Sequence, residues 1–166
     1  MVDYSLSNDR LIGMIQQQEN KDLYKIGCFG KITAFNETPD KRYLISLEGI
    51  SCFKISKEIK TKHKFRIFKV ENIKNYNQNY LEEDLKKEIL ERFKKYNEFK
   101  KLNVNINDLS ELKIFDLLKF IVMISPFDFG TKQMFLELSS SKELYENLLS
   151  TLEIELASKQ SITTLN

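Results

Sequence analysis

The sequence predicts an α+β fold, with strands first and helices after, on three observations. Across residues 23–70 apolar side chains recur with a period of two. From Leu81 to Tyr96, and again from Leu144 to Leu156, they recur every third or fourth residue. The change of period falls at a polar, turn-rich stretch, residues 72–79. A period of two places one face of a strand in a core and the other in water, whereas spacings of three and four draw a stripe along a helix. Strands gathered in one half and helices in the other separate this class from an alternating α/β fold.

Taken in order, residues 1–6 are too short to form an element alone. Residues 11–15 (LIGMI) read as a first short strand before a polar loop. The clearest alternation follows, with Tyr24, Ile26, Cys28, Gly30, Ile32 and Ala34 on one side and Lys25, Lys31 and Thr33 on the other. Turn signals then cut the stretch at residues 36–41 (NETPDK), at Glu48-Gly49 and at the lysine-rich link 60–64, and residues 63–70 (HKFRIFKV) add a last strand. Three or four antiparallel strands joined by short turns make a curled meander.

In the second half Leu81, Leu85, Ile89, Phe93 and Tyr96 form one helical stripe. Asn79 with Glu82 is a candidate capping box at its start, and Lys100-Lys101 suit the negative end of the helix dipole. Residues 109–124 are apolar on most sides, with a narrow polar strip through Lys113, Asp116 and Lys119, and predict a single helix at the buried centre of this half. Pro126 ends it, because the residue before a proline leaves the helical region. A shorter helix is predicted over about residues 130–138. Ser140 and Glu143 then cap a last helix with the stripe Leu144, Leu148, Leu152 and Leu156, and the residues after Ala157 read as frayed. The expected organisation is a β subdomain over 1–75, a helical subdomain over 76–158 and a tail over 159–166, together one domain.

The chain has 166 residues, of which 42% are hydrophobic and 30% charged, enough for a core and a well-solvated surface. Net charge is +2, divided unevenly: −1 over residues 1–53, +7 over 54–101 and −4 over 102–166. A basic middle can attract nucleic acid or an acidic protein, but lysines also shield strand edges and coat helix faces, and the same segment carries eight acids. Cys28 and Cys52 lie far apart in apolar strand patterns and read as small buried hydrophobes in a reducing compartment. There is no basic-then-apolar leader and no apolar run near 18 residues, which predicts a cytoplasmic protein that does not span a membrane.

Four phrases in order, DRLIGMI (9–15), LYKIGCFGKITAF (23–35), RYLISLEGISCFKI (42–55) and SPFDFGTKQMFLE (125–137), resemble the N-terminal, substrate-binding domain of the Lon protease family, as also found in free-standing bacterial proteins. The resemblance runs from Met1 to about Ser158. It implies a curled, PUA-like antiparallel β-barrel followed by a helical subdomain, and a non-catalytic role in binding unfolded or degradation-prone polypeptide. Members usually open with a Pro- and Leu-rich strand, an IFEPRY-like phrase and a helix, whereas this chain begins where that helix would be ending. The expectation is therefore a start assigned late or a truncated chain, and an incomplete barrel, first strand missing, with an open edge or exposed apolar surface.

No catalytic chemistry is expected. None of the five glycines fits G-x-x-x-x-G-K-[ST], so a phosphate cradle of that kind is excluded. Ser139 to Lys142 spells S-x-x-K, but its partner motifs are missing and the serines sit where a helix cap belongs. His63 is the single histidine and has no cysteine or second histidine at ligand spacing. Glu82, Glu83 and Asp84 suit the first turn of a helix on dipole grounds alone. Catalytic, metal and cofactor residues are accordingly expected to be none, with no small-molecule substrate. Among twelve Phe and seven Tyr, Phe29 and Phe35 have the parity opposite to Tyr24 and Ile26. They are the candidate polypeptide-binding residues, since exposed aromatics on a sheet suit extended apolar chains. The competing expectation is an RNA-binding PUA-like module using Lys57, Lys60, Lys62 and Lys64.

Overall fold

The structure, a computed structural model, describes residues 1–73 and 83–163; of Glu83 and residues 159–163 it describes the backbone alone. The chain divides into two compact units, Met1–Asn75 and Tyr76–Asn166.

The first unit is a short helix and four strands: α1 Val2–Leu6, β1 Leu11–Met14, β2 Ile26–Glu37, β3 Tyr43–Ile59 and β4 Ile67–Asn72. The strands form one antiparallel sheet in the order β1-β2-β3-β4. Residues 1–6, expected to form no element, contain a one-turn helix because two side chains anchor it. Ser5 is buried, and the Tyr43 hydroxyl donates to Asp3 Oδ1 at 2.6 Å. The sheet is open rather than closed into a barrel: among the described residues β1 and β4 are paired on one side only and not with each other. The β2–β3 turn falls at the expected NETPDK phrase. Lys41 N–H donates to Thr38 O at 2.9 Å and Thr38 N–H to Arg42 O at 2.8 Å, with Lys41 at φ 60°. This is a tight turn followed by one left-handed residue, with Pro39 supplying the fixed φ at its first corner.

Glu48-Gly49 is not a turn. β3 runs straight through it as a 17-residue strand. Phe29 pairs with Ser51 and Gly30 with Gly49, so Ile50 is an extra residue, and the glycine marks a bulge instead of a reversal. Two further register shifts leave Thr33 extra on β2 and Ser56 extra on β3. Each bulge exchanges the faces of the residues beyond it.

Cys28 and Cys52 also depart from expectation. Far apart in sequence, they are direct register partners across β2 and β3; both are half-buried and neither is in a disulfide. Beside them Phe53, buried at 3%, lies over Gly27 and Gly13: a Cβ on Gly27 would stand 2.7 Å from the Phe53 ring, and one on Gly13 3.3 Å away.

The second unit contains α2 Glu83–Lys100, α3 Ile106–Ser110, α4 Ile114–Ile124, α5 Phe129–Glu137 and α6 Ser141–Thr163. Ile89, Phe93 and Tyr96 of the predicted stripe are fully buried, and Leu144, Leu148 and Leu152 of α6 face the same core. Leu81 and the capping box of Asn79 with Glu82 lie outside the described residues. The single helix expected over 109–124 is two helices. Asn105 caps α3 by accepting from Asn107 N–H, and α4 starts afresh after Lys113, which has extended backbone. α4 buries Leu117, Leu118 and Ile121 but leaves Met123 exposed, so it contributes one face rather than a fully enclosed centre. It ends at Ser125, whose ψ of 136° is the extended geometry that Pro126 demands.

Asp128 caps α5 by accepting from Thr131 N–H at 2.9 Å. At α6, Glu143 accepts from the N–H of Ser139 and of Ser140, and Glu143 N–H donates to Ser140 Oγ, a reciprocal capping box. α6 continues to Thr163, beyond the fraying point expected at Ala157. Polar ties between α2 and α6 are Tyr145–Glu88 at 2.6 Å, Arg92–Glu153 at 2.8 Å and Lys100–Glu155 at 2.6 Å. They advance in the same direction along both helices.

Candidate polypeptide-binding surface

Register fixes which side chains share a face of the sheet, because directly opposed residues of an antiparallel pair point the same way. On one face Met14, Cys28 and Cys52 make a row, and Ile12, Gly30 and Gly49 make the next. Ile32 with Leu47, Phe35 with Ile45, and finally Tyr43 continue the same face. Ile12 and Ile32 are buried at 4% and 1%, while Met14, Phe35 and Leu47 stand in water. Leu47 lies over Gly30, where an added Cβ would meet it at 3.4 Å. Phe35 packs edge-on to Tyr43 with ring centroids 6.4 Å apart. The Tyr43–Asp3 hydrogen bond holds the Asp3 carboxyl below its ordinary range and pushes the Tyr43 phenol up, so each partner keeps its bonding form. The result is an apolar strip with a buried middle and exposed ends.

The opposite face holds Phe29, Phe53, Gly27 and Gly13 at one end and Leu11, Leu44 and Ser46 toward the other. Phe29 is half-buried and rests on Phe53, centroid to centroid 4.6 Å. The two candidate aromatics are therefore not brought together. Their shared parity suggests one face, but the extra residue at Thr33 turns Phe35 onto the face of Ile32 and leaves Phe29 on the other. Phe35 is half exposed and Phe29 is largely occupied by its neighbour. Leu47 on the face of Phe35, Leu44 on the opposite face and Ile50 at the bulge, all exposed, are apolar residues of the sheet that the alternation of β2 did not point to. Their signal was apolar residues on both parities of one strand, 44, 45, 47 and 50, which a one-sided strand does not need.

The β3–β4 hairpin is the basic region. Lys54, Lys57, Lys60, Lys62, Lys64 and Lys69 lie along it, and Lys57 is the direct partner of Lys69. Of its acids, Glu71 is the register partner of Lys54, and Glu58 is occupied by Arg66, which donates to both carboxylate oxygens at 2.8 and 2.7 Å. Among the described residues none of the six lysines has an ion-pair partner. His63 stacks on Phe65 at 5.0 Å and meets Tyr4 edge-on at 5.0 Å, so it serves as one ring of an aromatic cluster. Among the described residues no group of three His, Cys, Asp or Glu side chains converges as metal ligands would. None of their helices is long and apolar enough to cross a membrane.

An open antiparallel sheet followed in the chain by helices defines a fold of α+β class. Residues 1–153 match the family profile described as the ATP-dependent protease La (LON) substrate-binding domain, and the chain belongs to that family. The match is to the substrate-binding domain alone; it includes neither the ATPase nor the protease domain of Lon. The fold is similar to the N-terminal domain of the Mycobacterium avium complex Lon protease, at 13% identity and a TM-score of 0.71, covering 92% of this chain and 82% of that one. It is also similar to a Lon N-terminal domain protein from Xanthomonas campestris, at 13% identity and a TM-score of 0.58, covering 84% of this chain and 88% of that one. A comparison with curated proteins gave no match.

Proposed function

We propose that this domain is a non-catalytic binding module that holds extended, apolar segments of unfolded or degradation-prone polypeptide in cytoplasmic protein quality control. The observation that carries the reading is the apolar strip around Phe35 and Leu47, on a sheet whose outer strands are paired along one side only among the described residues. A strand edge offers hydrogen bonds of regular spacing to any extended chain, and neighbouring apolar side chains select for sequence. Phe35 is the principal contact in this proposal and Phe29 the lesser one, since Phe53 already covers much of its ring. Membership of the substrate-binding family supports the class of ligand.

The test is anisotropy of a labelled, reduced and alkylated polypeptide that cannot fold. Saturable binding is expected in the micromolar range, with at least a tenfold loss for Phe35→Ser combined with Leu47→Ser. Leu44→Ser, on the opposite face, should leave it unchanged. No binding, or equal loss from both faces, overturns the reading.

A second reading, RNA binding, is favoured by one feature, the six unpaired lysines of the β3–β4 hairpin with Lys57 facing Lys69. Like charges directly opposed in a ladder repel, and a phosphate backbone would neutralise both. This reading requires labelled single-stranded RNA to bind at low salt and to lose most of its affinity in the Lys57→Gln, Lys69→Gln double variant. Absence of binding at low salt ends it.

A further inference from the structure

The two cysteines occupy a position in the ladder that the binding reading does not use. Cys28 of β2 and Cys52 of β3 are direct partners. Two independent hydrogen bonds show which kind of pair they form. Ile55 N–H donates to Lys25 O at 2.7 Å, making 25/55 a hydrogen-bonded pair of the β2–β3 ladder. Because hydrogen-bonded and non-hydrogen-bonded pairs alternate, 28/52, three positions along, is non-hydrogen-bonded. From the other side, Ile73 N–H donates to Cys52 O at 3.1 Å, so the Cys52 backbone groups point toward β4 and away from Cys28. Non-hydrogen-bonded partners bring their Cα atoms to about 4.5 Å, with side chains closer than in the other kind of pair. That separation lies at the short end of the range a disulfide spans, about 4.4–6.8 Å.

Register places both sulfurs on one face of the sheet. Cys28 Sγ donates weakly to its neighbour Phe29 O at 3.4 Å and sits 3.9 Å from where a Cβ on Gly49 would be, so no side chain is interposed on that flank. Both residues are half-buried, open enough for a small reagent to reach.

We propose that Cys28 and Cys52 form a redox-modifiable dithiol, converted to a cross-strand disulfide by exchange with a low-molecular-weight disulfide such as glutathione disulfide. One thiolate attacks a sulfur of the reagent, giving a mixed disulfide and releasing one thiol. The second protein thiolate then attacks the mixed disulfide at the protein sulfur and releases the other. Two protons leave the protein thiols, the protein pair is oxidised by two electrons and the small disulfide is reduced to two thiols. The link closes the chain between residues 28 and 52, which contains Phe35, Leu44 and Leu47, and fixes the β2–β3 register across the bulge at Ile50. The inference does not depend on polypeptide binding and stands or falls on sulfur chemistry alone.

The experiment is equilibration of the folded protein with glutathione and glutathione disulfide over a range of ratios, followed by alkylation, digestion and mass spectrometry. The expected product is a monomer two hydrogens lighter, with Cys28 and Cys52 peptides crosslinked. Its equilibrium constant should be at least tenfold more favourable in native buffer than in denaturant, and its denaturation midpoint raised until dithiothreitol is added. Cys52→Ser should instead stop at a stable glutathione adduct on Cys28. Native protein that collects two glutathiones, links to a second chain, stays unreacted, or crosslinks no better folded than unfolded would each overturn the proposal.

Discussion

In the helical unit thirteen hydrophobic residues, from Ile89 to Leu152, are withdrawn from water, and among the described residues only Met123, Phe129 and Ile154 stand out as large exposed apolar side chains. In the β unit the proportions reverse. Among its described residues Ile12, Ile32 and Phe53 are buried, while nine large apolar side chains are exposed, from Leu47 at 37% to Leu44 at 69%. Both units draw on similar residue types, so composition does not explain the difference; topology does. Helices with one apolar stripe each can turn their stripes to a common centre. A four-stranded sheet with bulges carries apolar residues on both faces, and one small core cannot cover both. The excess stays in water, where a partner can use it.

The sharpest way to break this comparison is to remove one ring from each unit. Phe93→Ala, at a fully buried position, should cost about 3–5 kcal/mol in a denaturant titration. Phe35→Ala, half exposed, should cost less than about 1 kcal/mol and act on binding instead. Equal costs would mean that the exposed ring is structural after all. Inside the β unit Gly27→Ala should destabilise by about 1–3 kcal/mol, because the added Cβ would strike the Met14 carbonyl oxygen and the Phe53 ring. A thermal melt of that variant with unchanged midpoint would show that the ring contact is loose.

Helix capping sharpens the contrast from the other side. Asp128→Ala should cost about 1 kcal/mol by chemical denaturation, since Thr131 N–H loses its acceptor. Hydrogen bonds from Thr131 hold the Asp128 carboxyl below its ordinary 3.8, and those from Ser139 and Ser140 hold Glu143 below 4.5. A depressed carboxylate stabilises the fold above its unfolded pKa, and that stability is lost as pH falls through the folded value. Melting temperature should therefore stay flat from about pH 7 to 5 and fall below about 4.5. At the other extreme burial pushes the Tyr96 phenol up to about 12 from 10.0, a raised group whose contribution is intact below 10 and lost as pH climbs toward 12. The smallest effect expected is a gain of about 0.5 kcal/mol for Lys41→Gly, where φ of 60° suits glycine. A calorimetric loss there would mean that the lysine side chain holds the turn.

Most elements and their kinds were legible because each depends on local period and local caps, whereas α1 and the break between α3 and α4 were not. Ile89, Phe93 and Tyr96 had to face one core, and Pro126 had to end a helix. What escaped the sequence was the consequence of single extra residues. Gly49 carries the same letter in a turn and in a bulge, and only the length of the strands on either side decides between them. From the bulge at Thr33 followed the misplacement of Phe35 relative to Phe29, and from strand register followed the meeting of Cys28 with Cys52. Which face each candidate aromatic occupies was not legible. Register is set by pairing between distant segments, and no single strand encodes it.

Hydrogen–deuterium exchange of the whole chain, with and without the unfolded polypeptide, tests the central claim most directly. The account predicts added protection in β1 and across β2 and β3, residues 11–14 and 26–59, with residues 83–163 unchanged. Protection confined to the helices, or none at saturating polypeptide, would contradict it.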